Sequence, residues 1–161
     1  MRHVKTSGYV LWALLFISTV PYNAEAGTVR IYPDQFKPVN PSNPDNAQMP
    51  VALYGGSGPA QYCAIAKLPV GKSVKRLVAF HSSNVGTSRS SVRLLRSRFG
   101  PCEQPSQDLA EVECSGFTGG PVIALHRADI SYAEVRAGFR YWVLVDLAPG
   151  NNLHGVKVKY E

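Results

Sequence analysis

The chain has 161 residues, 17 basic and 11 acidic, with a formal net charge of +6. That length suits one domain able to bury a core of its own. The modest positive charge suits plain solubility or contact with an anionic envelope, glycan or lipid head group. No nucleic-acid partner is expected, because along the sequence the basic residues do not interleave with exposed-looking aromatics.

The first element in chain order is an export signal over residues 1–26. Arg2 and Lys5 precede an apolar run from Tyr9 to Val20, Pro21 breaks it, and Ala24-Glu25-Ala26 follows. A charged start, a short apolar middle and small residues two apart predict a secretory signal peptide cut after Ala26. As a helix, about 12 apolar residues span roughly 18 Å, short of a hydrocarbon core of about 30 Å, so a membrane anchor is disfavoured. No cysteine follows the run to carry a lipid. The expected location is periplasmic or extracellular, with no stable membrane insertion after cleavage.

Residues 27–59 read as a first strand and a Pro/Gly-rich strap. Thr28 to Tyr32 is the strand. Asp34 to Pro50 holds Pro38, Pro41, Pro44 and Pro50 and predicts an extended, polyproline-like strap. Gly55 to Pro59 reads as a flexible turn.

Residues 60–161 read as the body of a sandwich. Short apolar runs recur between Gly, Pro, Asn and Ser clusters, the pattern of an all-β protein. Gln61 to Leu68, Ser73 to Ser82, Ser90 to Phe99 and Leu109 to Cys114 are predicted strands. Val122 to His126 and Ile130 to Val135 are shorter ones, although Ala124 to Ala137 is also the one stretch that could form a helix. Phe139 to Leu147 is apolar on both parities through Tyr141, Trp142, Val143, Leu144 and Val145. It predicts a central strand covered on both sides, or one whose outer face meets another chain. In Leu153 to Tyr160, Val156, Val158 and Tyr160 alternate with Lys157, Lys159 and Glu161, as a half-buried antiparallel strand requires.

Three cysteines in an oxidising compartment allow one bridge and one leftover thiol. Cys102 and Cys114 are nearest in sequence and are the favoured pair, with Cys63 to Cys114 as the alternative. Cys63, in an apolar run, is then expected to be buried as a small hydrophobe.

Arg93, Arg96 and Arg98 do not share a parity along their strand. A β-bulge near Leu94-Leu95 would bring all three to one face. There they would either pair with Glu111 and Glu113 across the hairpin or form an anion or partner patch.

Other chemistries find little support. Gly71-Lys72-Ser73 lacks the first glycine of a phosphate loop, whose place Ala66 holds, and the helix that should follow. His81, His126 and His154 are not paired at metal-ligand spacing, so a metal site would have to be assembled in space. No G-x-S-x-G elbow is present, and nothing selects two carboxylates for glycoside chemistry. No cofactor and no enzymatic activity are expected. Tyr141, Trp142, Phe80 and Tyr160 are assigned to the core, whereas Tyr54, Tyr62 and Tyr132 could serve a glycan platform.

The layout from Gln61 to Glu161 resembles a group of small exported bacterial β-sandwich proteins of unassigned function. The likeness rests on Tyr62 to Gly71, the Val74 to Phe80 strand, Val92-Arg93-Leu94-Leu95-Arg96, and the ending Tyr141 to Val145 with Leu153 to Tyr160. It implies a jelly-roll-like or immunoglobulin-like sandwich and transfers no catalytic residue. The expected fold is thus a single antiparallel β-sandwich of about eight strands with an N-terminal strap. The expected function is a non-catalytic exported protein that binds a protein partner, self-associates or builds an envelope or extracellular assembly. A carbohydrate-binding module is the alternative, and a hydrolase with a loop-built site the weaker one.

Overall fold

A computed structural model describes residues 26–40, 46–49, 51–83, 89–98, 106–115 and 123–161; for 46–49 and for Tyr132 only the backbone is described. Residues 1–25 of the signal segment, and Cys102, lie outside the described residues. The described chain is built from strands β1 (Gly27–Ile31), β2 (Lys37–Pro38), β3 (Asn46–Met49), β4 (Ala52–Gly55), β5 (Ala60–Ile65) and β6 (Ser73–Ser83). These are followed by β7 (Arg89–Ser97), β8 (Gln107–Ser115), β9 (Ala124–Glu134), β10 (Arg140–Leu147) and β11 (Asn151–Tyr160).

The strands form two antiparallel sheets packed face to face. Sheet A runs β3-β4-β11-β6-β9, with β1 also paired to β11; sheet B runs β2-β5-β10-β7-β8. From β4 onward nearly every connection crosses from one sheet to the other. Each sheet is therefore assembled from strands distant in sequence, as in a jelly roll.

Alternation explains why the two layers close. On β11, Leu153, Val156 and Val158 turn inward against Leu77 and Ala79 of β6. On β10, Tyr141, Val143, Val145 and Leu147 face them from sheet B, joined by Val92 and Leu94 of β7 and Tyr62 and Ala64 of β5. Polar anchors tie the layers together. The fully buried Tyr62 donates its hydroxyl to the Tyr54 carbonyl at 3.0 Å, linking β5 to β4. Ser90 Oγ accepts from Asn151 Nδ2 at 2.7 Å and from the Ala148 amide at 3.0 Å, which fixes the β10–β11 turn over β7. Gly155 takes φ 147° at an irregularity in β11, where an added Cβ would lie 3.2 Å from the Ile31 carbonyl.

Several expectations change. The strap is not simply polyproline-like. Lys37–Pro38 pairs with β5 and Asn46–Met49 with β4, so it supplies one edge strand to each sheet. Pro38 is tolerated because it sits on an edge, where one side of the strand donates no ladder bond. The stretch with helical potential is instead β9, one continuous strand along β6. Its alternation is stronger than its weak helical spacing, since the inward side has a sheet to cover.

The second apolar face of β10 is covered within the chain. Trp142 and Leu144 are only 8% and 6% exposed, clustered with Leu95 and packed by Val39 of the strap and Cys63.

The expected Cys102–Cys114 bridge is not formed, because Cys114 is a free, buried thiol. The pairing of β7 with β8 sets Cys114 opposite Ser90 and turns its side chain into the layer between the sheets. Cys63 is the disulfide-bonded cysteine. It packs with Leu95, Trp142 and Leu144 on the outer face of sheet B. Two thiols on opposite faces of one sheet cannot meet, which also removes the Cys63–Cys114 alternative.

Candidate binding face and a buried histidine–cysteine cluster

The outward face of sheet A carries an unusual charge distribution. Cross-strand register places Arg30 of β1, Lys157 of β11, Val78 of β6 and Arg127 of β9 in one row. The next row is Thr28, Lys159, Arg76 and Asp129. Three inter-strand gaps make each row about 14 Å wide. Asp129 pairs with Arg76. Among the described residues, Arg30, Arg127, Lys157 and Lys159 have no ion-pair partner.

Apolar side chains lie among these cations. Arg76, Val78, Phe80, Leu125, Arg127, Lys157 and Lys159 line one shallow depression. A second, sharing Phe80 and Lys157, is a groove of about 230 Å³ bordered by Arg30, Tyr32, Ile123 and His154. Lys157 Nζ sits 4.5 Å from the centre of the Phe80 ring. Tyr32 and Leu125 are 54% and 56% exposed. Phe80, expected in the core, is half-buried on this outer face. Its parity is that of Val78 and Ser82, opposite to Leu77, Ala79 and His81.

The arginines singled out from the sequence are divided rather than gathered. The predicted irregularity does occur, with Leu94 opposite Ala110 and Leu95 opposite Asp108. The extra residue, however, is Leu109 on β8, and β7 keeps unbroken register with β10. Arg93 therefore stays on the outer face, bonded to Asp146 at 2.9 Å. Arg96 points the other way, bonded to Gln107, and both Arg96 and Arg98 stack on Phe139 at 5.1 and 4.9 Å from the ring centre. Glu113 lies 3.9 Å from Arg89, not from an arginine of the expected trio.

The other concentration of chemistry lies inside. Ala79 of β6 pairs with His126 of β9, so His81 and His126 stand on neighbouring strands with both rings facing inward. The rings meet edge to face at 5.6 Å between centroids. Cys114 reaches them from β8, on the facing sheet. One ring nitrogen of each histidine and the Cys114 sulfur all lie within 4.8 Å of one another. His81 is 1% exposed, and the Nε2 atoms of both His81 and His126 are buried without a hydrogen-bond partner.

Burial governs the protonation of this cluster. Desolvation, then the nearby His126 and His154, lowers the His81 pKa to about 4. Desolvation also lowers that of His126 and pushes the Cys114 thiol up to about 12. Both imidazoles are thus held neutral with a lone pair available. His154 lies apart from the cluster, with Nε2 2.8 Å from Ser82 Oγ.

Comparison with known proteins gives the fold and no family. No protein-family model matches, and no curated protein matches. Among solved structures, the chain is similar to the C-terminal CBM6 of LamC, a marine laminarinase from Zobellia galactanivorans. The identity is 12%, 82% of this chain and 98% of that chain are covered, and the TM-score is 0.50. It is also similar to Arthrobacter globiformis T6 isomalto-dextranase complexed with panose, at 14% identity and TM-score 0.50. There it covers 82% of this chain and spans only 23% of the other. At these identities the likeness establishes the all-β sandwich. Among the described residues no helix is long and apolar enough to cross a membrane.

Proposed function

We propose that this is a non-catalytic, exported carbohydrate-binding protein whose ligand is an acidic polysaccharide, bearing uronate or sulfate groups. The outer face of sheet A carries the reading. It combines Arg30, Arg127, Lys157 and Lys159, with no acidic partner among the described residues, and the half-exposed Phe80 and exposed Tyr32 between them. Such a face supplies charge for anionic groups and flat apolar surface for sugar rings. The shared sandwich fold of a carbohydrate-binding module supports the same class, and the signal-like N-terminus fits an extracellular glycan. The expectation of a protein partner drew on β10 being apolar on both parities and on an extended N-terminal arm, which here pairs with β5 and β4. Trp142 and Leu144 are buried within the chain, so the glycan reading is the better supported.

Affinity electrophoresis tests it. Native gels containing alginate, pectate or chondroitin sulfate should retard the protein, and gels containing laminarin or xylan should not. Retardation should weaken steeply with added salt. Unchanged mobility in every acidic polymer at low salt would remove the proposal.

A further inference from the structure

A buried polar atom without a partner is costly, and folded proteins leave few of them. This chain has two such atoms in one place, Nε2 of His81 and Nε2 of His126. They belong to rings that each bring a nitrogen within 4.8 Å of the other ring's nitrogen and of the Cys114 sulfur. Two imidazoles and a sulfur match the donor set that borderline and soft metal ions prefer. Among the described residues no carboxylate joins the group, so calcium and magnesium, which need oxygen ligands, are disfavoured. The site also has a defined place in the fold. In the strand order, β9 is the end of sheet A and β8 the end of sheet B.

We infer that His81, His126 and Cys114 bind one thiophilic transition-metal ion, zinc or copper, and that the ion staples β6 and β9 of one sheet to β8 of the other. The histidines enter as neutral ligands. The cysteine enters as thiolate, so each binding event releases the thiol proton of Cys114 to solvent while a metal–sulfur bond forms. His126 is only partly buried and gives the ion a route to the otherwise closed Cys114 and His81. Beside the Tyr62–Tyr54 and Ser90–Asn151 hydrogen bonds, the ion would tie the two layers on the side away from β3 and β2.

The test uses purified, metal-free protein kept reduced at Cys114. Zinc(II) and copper(I) are titrated separately against chromophoric chelators, and cobalt(II) serves as a spectroscopic probe. One equivalent of zinc or copper should bind with a dissociation constant below micromolar and raise the melting temperature. The cobalt adduct should show a thiolate-to-metal charge-transfer band. Cys114→Ser should abolish that band and weaken binding at least 100-fold. His126→Gln, at a half-buried position where folding is less at risk, should weaken binding at least tenfold; circular dichroism of each metal-free variant confirms the fold. Absence of stoichiometric binding by either ion, a cobalt spectrum without the thiolate band, or undiminished affinity in the folded variants would overturn the inference.

Discussion

Reversing the charge at Lys157 separates binding from stability. The ammonium lies between Arg30 and Val78 in its row, two residues from Lys159, and 4.5 Å above the Phe80 ring. In Lys157→Glu the cation–π contact is lost, about 0.5–1 kcal/mol at an exposed site. The new carboxylate gains attraction to Arg30 across the strand pair, worth a similar amount. Folding stability should therefore change by less than about 1 kcal/mol. Binding should change far more. One exposed ion pair with the polymer is worth up to about 1 kcal/mol, and its replacement by a repulsion of similar size doubles the loss. A difference of about 2 kcal/mol is roughly a 30-fold weaker dissociation constant. Isothermal titration with the acidic polysaccharide that retards the wild type, at low and high salt, measures this. Arg89→Glu, at an exposed side chain of sheet B, is the control and should bind as the wild type does. Equal affinity of Lys157→Glu and wild type would refute the assignment of ligand to this face. A large fall in melting temperature would refute the account of the local electrostatics.

Three other outcomes are expected. The folded-state pKa of His81 is about 4, below its ordinary 6.5, with His126, His154 and Cys114 as its titratable neighbours. The unfolded chain therefore takes up the proton first, and His81 should account for at most about 3 kcal/mol of the stability that metal-free protein loses as pH falls from 6.5 to 4, with His126 adding in the same direction. Urea midpoints across that range measure the loss, which His81→Gln should largely remove. Peptide mapping without reduction should find Cys114 unmodified and Cys63 in a disulfide; any linkage through Cys114 would contradict its placement. Ser90→Ala should destabilise the fold by about 2–4 kcal/mol in chemical denaturation, because the Asn151 amide and the Ala148 N–H lose their common acceptor inside the protein. A change below about 0.5 kcal/mol would show that the network is dispensable.

Residue spacing alone was enough to read the class of fold and the two sides of many strands. Val156 and Val158 against Lys157 and Lys159 could be sorted at sight, because the pleat sends successive side chains to opposite faces whatever the strand pairs with. The same parity puts His81 with Leu77 and Ala79, and Cys114 with Val112, so the inward aim of each was also legible. Their meeting was not. His81, Cys114 and His126 come from three strands in two sheets, and only the exchange of strands between layers brings them together. The basic face was hidden for the same reason. Arg30, Lys157 and Arg127 are far apart in the chain and share a row only through the register of β1, β11, β6 and β9. The trio that looked like a patch, Arg93, Arg96 and Arg98, was local in sequence, and strand geometry split it across two faces. Alternation is fixed by each residue's own backbone. Strand order and register are fixed by which distant apolar faces can be buried together, and that is decided by the packed whole.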